Sequence, residues 1–198
     1  MKTIPMSEYA RKGIHLSSSF IPLFYLWASP TKEFILGFIG SLILFSLLLE
    51  YGRKNITWGI SIFNTYFNFM LRKHESKGAL TGASWVLIGM FITIFIFQKY
   101  IAVLSILFMV FGDTFAALIG KSIPMGQIGQ KTLSGSFGGL VVILAISFLL
   151  RDYVPFIPAV GGGIVAMIVE VLPIQLDDNL TIPLSSGLMM TFLTGGFA

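Results

Sequence analysis

The run VFGDTFAALIGK, residues 110–121, sets one carboxylate, Asp113, into an otherwise apolar stretch and follows it with Lys121 about two helical turns on. On a helix, Gly112, Ala116 and Gly120 recur every four residues and leave room for a second backbone to approach. Asp113, Ala117 and Lys121 line the neighbouring stripe. An acid near the centre of a membrane helix opposes insertion by roughly 2.5–3.5 kcal/mol. The eleven Ile, Leu, Val and Phe residues of 101–119 offset it by about 5 kcal/mol on the same scale. The helix therefore inserts in spite of Asp113. A carboxylate kept at that cost points to a metal ligand or catalytic group in a polar cavity open to the cytoplasm. A packing helix whose Asp is neutralised by a bundle partner is the plainer alternative.

Three further stretches carry chemistry. The loop SIPMGQIGQKTLSGSFGG, 122–139, surrounds Lys131 with glycines and hydroxyls at the start of an apolar run. Backbone N–H groups at a helix start, with a lysine beside them, would cradle phosphate, although GxxxxGK[ST] is absent. EVLPIQLDDNLTIPL, 170–184, adds Glu170, Asp178 and Asn179. Oxygen donors of this kind suit Mg²⁺, which usually takes one or two carboxylates and leaves places for substrate phosphates. Pro173 closes one helix, Thr181 is expected to cap the next, and Pro183 falls in its first turn. Asp177, Asp178 and Asn179 are then an extended acidic connector, with Asp177 serving only the turn. Lastly, ARKGIH places Arg11 and His15 at i, i+4, and LLLEYGRK places Glu50 beside Arg53 and Lys54. These groups either support a site or simply snorkel and pair.

The elements that position these residues follow from composition. Of 198 residues, 55% are hydrophobic and only 11% charged, against about 25% charged in soluble domains. That balance implies a single membrane-embedded domain, 1–198, built as an all-α bundle. The absence of cysteine excludes disulfides and Cys-ligated metals, and His15 and His74 are too few for an all-His zinc site. The polar lead KTIPMSEYARKGIH contains Glu8 and has no clear cleavage site after it, so the first hydrophobic segment is expected to be retained. Seven spans are expected, at 14–30, 33–50, 79–97, 100–120, 135–151, 155–172 and 181–197.

Segment 56–71 reads differently. Thr57, Ser61, Asn64 and Asn68 make a polar stripe at helical period, beside an apolar stripe of Ile56, Ile60, Phe63, Phe67 and Met70. A cytoplasmic interfacial amphipathic helix fits it. With that segment not crossing, Lys2, Arg11, Lys12, Arg53, Lys54, Arg72, Lys73, Lys77, Lys121 and Lys131 lie inside, against Lys32, Lys99 and Arg151 outside. Ten against three sets the N-terminus inside and the C-terminus outside. Asp113, Glu170, Asp177, Asp178 and Glu50 fall at the same cytoplasmic ends. A membrane enzyme with a charged, water-soluble co-substrate needs that arrangement.

In order, ARKGIH, E-YGR, LTGAS, GDTFAALIGK, KTLSGS and DDNLTIPL resemble the polyprenol kinase family, from about Arg11 to Leu184. That family contains dolichol kinase, phytol kinase and the CTP-dependent diacylglycerol kinase, and the chain is similar to its compact prokaryotic members. The resemblance implies phosphorylation of a lipid alcohol (a polyprenol, phytol or diacylglycerol) by CTP with Mg²⁺ or Mn²⁺ at the cytoplasmic face of the inner membrane. It implies catalytic roles for Asp113 and Asp178, with Asp113, Glu170 and Asp178 toward the metal. Lys131, Thr132, Ser134, Gly135, Ser136 and Asn179 would serve the nucleotide, helped by the cations Lys121 and Arg11. His15, Glu50, Arg53 and Gly112 would support substrate. Relatives often carry Glu or Ala where this chain has Ser134, so no carboxylate is available there. The expected partners are the lipid alcohol, CTP and the bilayer, with no nucleic acid, and small-residue faces permit a homodimer.

Two other functions fit parts of the pattern. A CTP:lipid-phosphate cytidylyltransferase would use the same cluster but release pyrophosphate, and the long Lys- and His-rich C-terminal signature of CDP-diacylglycerol synthases is absent. An ion- or proton-coupled transporter would place Asp113 near the midplane between repeats. No repeat is evident, although Gly161–Gly163 could break a helix.

Overall fold

The computed structural model describes residues 4–76 and 78–196, with the backbone alone at 73 and 74. Lys2 and Lys77, and the side chains of Lys73 and His74, lie outside the described residues. The fold is all-α, with 77% of the described residues helical. The helices are α1 Met6–Ser17, α2 Phe20–Trp27, α3 Lys32–Asn55, α4 Thr57–Tyr66, the short α5 Lys73–Ser76, α6 Gly82–Ile96, α7 Lys99–Leu107, α8 Asp113–Ser122, α9 Leu133–Leu149, α10 Phe156–Val171 and α11 Asp178–Leu193. A two-stranded hairpin, β1 Gln127–Ile128 and β2 Lys131–Thr132, sits before α9. Among the described residues, two helical stretches are long and apolar enough to cross a bilayer: α3, and the continuous rod Lys99–Ser122 formed by α7, a π turn and α8. Helices α6, α9 and α10 are apolar but shorter.

The rod Lys99–Ser122 is the central element. Every residue from Ile101 to Val110 is buried. Its π turn spans Phe108–Gly112, immediately before Asp113. One extra residue in a turn offsets the helix faces on either side by about 100°. The buried apolar face above the turn is thereby decoupled from the polar face that begins at Asp113.

Glycines set the closest helix contacts. The stripe Gly112, Ala116 and Gly120 meets a matching stripe on α9. A Cβ on Gly135 would stand 2.4 Å from the Ala116 carbonyl, and one on Gly139 would stand 2.7 Å from the Gly112 carbonyl. These small faces pack against each other inside the bundle. On the other side, a Cβ on Gly89 of α6 would lie 2.0 Å from the Asn179 carbonyl of α11. Pro183 has no N–H to give that carbonyl, which lets α6 close on it.

Three expected elements differ. The first span, 14–30, is broken at Ser18–Ser19 into α1 and α2. Ser17 and Ser18 turn their hydroxyls back on the carbonyls of Ile14 and His15, and Pro22 cannot donate to Ser18. Segment 56–71 is α4 followed by a 3₁₀ turn, Asn68–Met70, because Phe67 leaves helical dihedrals. At 177–179 there is no extended connector. Asp177, not Thr181, is the cap, its side chain accepting from the Asn179 N–H, and Pro183 lies within α11.

Gly89→Ala is expected to lower the thermal midpoint in detergent, by about 1–3 kcal/mol of overpacking. Gly37→Ala in α3, where nothing lies within 4 Å, should leave it unchanged or raise it. Equal effects at both positions would contradict the α6–α11 contact.

Candidate active site

The polar residues collect where α3, α8 and α10 end and where α6, α9 and α11 begin. Lys12 of α1 donates to Asp113 Oδ2 at 2.6 Å and to the Asp113 carbonyl at 3.2 Å. His15 Nε2 stands 3.5 Å from Asp113 Oδ2 and 3.5 Å from the Met109 carbonyl in the π turn. Lys131 of β2 donates to both Asp178 oxygens, at 2.9 and 2.8 Å, and to the Glu170 carbonyl. Glu170 is buried on α10 and accepts from Ser136 at 2.6 Å. Lys131 thus stands between the carboxylates of α10 and α11, 3.9 Å from Glu170 Oε1 and 2.8 Å from Asp178 Oδ2, although among the described residues no three His, Asp or Glu converge as a metal-holding group. Each acid faces a lysine or a hydroxyl instead.

Several expected site residues have other duties. Lys121, on the stripe of Asp113, reaches Glu8 at 2.8 Å, and Arg11 reaches the same carboxylate at 2.9 Å. Glu50 accepts from Arg53, the Thr81 N–H and the Ser84 hydroxyl. Arg53 in turn donates to the carbonyls of Glu75 and Ala79. Glu50 and Arg53 are thus a buried clasp that binds the end of α3 to the loop before α6. The phosphate cradle expected at the start of α9 is filled by the chain itself. The N–H groups of Leu133, Ser134 and Gly135 donate to the Gly126 carbonyl, the Met125 carbonyl and the Thr132 hydroxyl. The Ser134 hydroxyl is tied to Ile123 and Met125. Gly112 and Gly135 are packing positions.

Sequence reasoning missed Lys12, which sits beside Arg11 in ARKGIH. The available signal was its i, i+3 relation to His15; both side chains reach Asp113 while Arg11, on the same cavity, pairs with Glu8. It also missed a large hollow among the described residues. A cavity of about 760 Å³ opens between α1, α3, α4 and α6, within the range of small-molecule sites. Asp113, Lys12, His15, Arg72 and Asn179 line its polar end together with the expected site residues Arg11, Glu50 and Arg53 and with Glu75 and Thr81, and Leu48, Leu49, Trp58, Ile62, Val86 and Leu87 line much of the rest. Four of the five residues on the apolar stripe of 56–71, Ile56, Phe63, Phe67 and Met70, also line it. A second cavity of about 260 Å³ lies beside Lys121, Gln127, Gln130 and Thr132.

The chain is 32% identical over 194 residues to the uncharacterized protein RP860 of Rickettsia prowazekii, with 93% of each covered. It belongs to the family of that protein. It is also 25% identical over 217 residues to CTP-dependent diacylglycerol kinase 1 of Saccharomyces cerevisiae, covering 94% of this chain and 73% of the yeast protein. That is a distant likeness to a lipid kinase, and it agrees with a membrane protein. No protein-family model and no solved structure matches.

Removing one partner of a buried ion pair leaves the other charge uncompensated. Lys12→Met alone should therefore destabilise by about 3 kcal/mol, and Lys12→Met with Asp113→Leu by clearly less. Additive losses in denaturant titrations would contradict the pairing. Burial pushes the Glu8 carboxyl up, but the hydrogen bond from Lys121 and the charges of Arg11, Lys121 and Lys12 outweigh it and hold Glu8 below its ordinary value. Its contribution is then present above the ordinary carboxylate pKa and lost as pH falls through the depressed one. Glu8→Gln should flatten that part of the acid limb of stability against pH; an unaltered limb would exclude the Glu8 triad.

Proposed function

We propose that the protein is a CTP-dependent lipid-alcohol kinase, acting at the cytoplasmic face of a membrane it crosses seven times. The observation that carries this reading is the position of Asp113: held by Lys12, it lines a cavity that charged residues and a broad apolar wall share. A lipid alcohol would lie with its chain among Leu49, Trp58, Ile62 and Val86 and its hydroxyl toward Asp113. The distant likeness to a CTP-dependent diacylglycerol kinase supports CTP as donor.

Transfer forms a bond between the acceptor oxygen and the γ-phosphorus and breaks the bond to the β–γ bridging oxygen. CDP leaves, and the hydroxyl proton passes to a carboxylate, Asp113 or Asp178. Such a reaction asks chiefly for positioning and charge neutralisation. Lys12 and His15 orient Asp113. Lys131 lies on Asp178 and can exchange that carboxylate for phosphate oxygens. Lys121 and Thr132 border the smaller cavity, which suits the rest of the nucleotide. Asp178 is 30% exposed and, once Lys131 turns to phosphate, would offer two hard oxygens to a divalent cation. Asp113 and Asp178 would hold Mg²⁺, which when bound neutralises the β- and γ-phosphates. Glu170, committed to Ser136, would stand behind them.

Purified protein, γ-labelled CTP or ATP and a panel of prenols, phytol and diacylglycerol test this directly. Labelled lipid phosphate with release of CDP is expected. Asp113→Asn, which retains an acceptor for Lys12, should lose at least about a hundredfold in kcat. Pyrophosphate as product, or near-normal turnover of the variant, would contradict the reading.

A further inference from the structure

Among the described side chains, the charged end of the bundle is almost fully paired. Arg11 and Lys121 share Glu8, Lys12 holds Asp113, Arg53 and Lys54 share Glu50, and Lys131 holds Asp178. Among the described side chains at that end, Arg72 is the cation with no carboxylate. It is exposed, it lines the same cavity as Asp113, and its charge acts on both Asp113 and His15. Its place is built rather than incidental. The Arg72 backbone N–H donates to Glu75 Oε2 at 2.7 Å, and Glu75 Oε1 accepts from the Gly82 N–H at 2.8 Å. The Glu75 carbonyl accepts from Arg53, which Glu50 secures. The Glu50–Arg53 clasp thus reaches, through Glu75, the backbone of an arginine at the cavity's polar end.

The planar fork of a guanidinium matches two oxygens of a phosphate, and Arg72 offers it at the cavity without a carboxylate already on it. The three carboxylates that line the cavity do not answer that demand: Asp113 is held by Lys12, Glu50 by Arg53, and Glu75 by the N–H groups of Arg72 and Gly82. We infer that Arg72 receives the phosphoryl group on the acceptor side, so that the cavity binds the phosphate monoester of a long-chain alcohol with its phosphate on Arg72 and its chain along α3, α4 and α6. The chemistry rests on the lipid-kinase reading. The geometry adds a residue to it and makes product affinity, not only the transfer step, depend on the segment between α4 and α6.

Binding to the full-length protein in detergent tests it, with farnesyl monophosphate and farnesol as probes and the fluorescence of Trp58, which lines the cavity, as one reporter. The wild type should prefer the monophosphate by at least about tenfold, the scale of one charge-assisted hydrogen-bonded contact. Arg72→Ala should abolish that preference and leave farnesol binding and the thermal midpoint unchanged, because the N–H used by Glu75 remains. Arg72→Lys should restore part of it, and CTP affinity should not move. A preference that survives in Arg72→Ala, or that is missing in the wild type, would overturn the inference. An Arg72-dependent preference in a protein that transfers phosphate from no nucleotide would uphold the anion site and remove the kinase reading. Transfer at wild-type kcat and product affinity in Arg72→Ala would do the reverse.

Discussion

Pairing of charge across helices, inside an apolar bundle, is the constraint on which the rest depends. An isolated ion in such a place costs several kcal/mol even after relaxation. Asp113 escapes that cost only because α1 delivers Lys12 and His15 to it. Glu170 and Asp178 escape it because the hairpin before α9 delivers Lys131, and α9 itself delivers Ser136. The pairs join elements far apart in the chain, so they specify how the helix ends assemble as well as what chemistry they hold. Such pairs are weak evidence for stability but strong evidence for placement.

Packing makes the pairing possible. The facing glycine stripes of α8 and α9 bring Asp113 and Ser136 into adjoining helices, and the Gly89–Asn179 approach brings α6 against the start of α11. The π turn then lets one rod serve two purposes, a buried apolar core above and a polar face below. The opposite end of the bundle is held differently: Lys99 bonds Ser29 at 2.8 Å and lies over the rings of Tyr25 and Tyr100, and Arg151 lies over Phe148. No acid takes part in those contacts.

Much of this was legible in the sequence. Hydropathy located the helices from α3 onward to within a few residues, and the small-residue repeat around Asp113 announced a close neighbour. The gathering of acids and bases at one end also followed from their positions at helix boundaries. What escaped was whatever depends on the direction of a side chain. Arg11 and Lys12 are adjacent, and only tertiary packing decides which one faces Asp113. The glycine-rich loop reads as a phosphate cradle, but its own carbonyls reach the free N–H groups first. The stripe of 56–71 reads as an interfacial face, and nothing in that reading says that Phe63, Phe67 and Met70 also line a cavity with α1, α3 and α6. A hollow formed by four elements has no signature in any one of them.

The central claim is that one lipid-sized cavity and one charged cluster form a single site. Photo-crosslinking with a long-chain alcohol carrying a diazirine in its chain, followed by peptide mapping, tests it most directly. The account predicts labels on cavity residues such as Leu49, Trp58, Ile62 and Val86, displaced by unlabelled alcohol and lost when the cavity is filled by Val86→Trp. Labels confined to outward surfaces such as Phe148 and Phe192, insensitive to competitor, would contradict it.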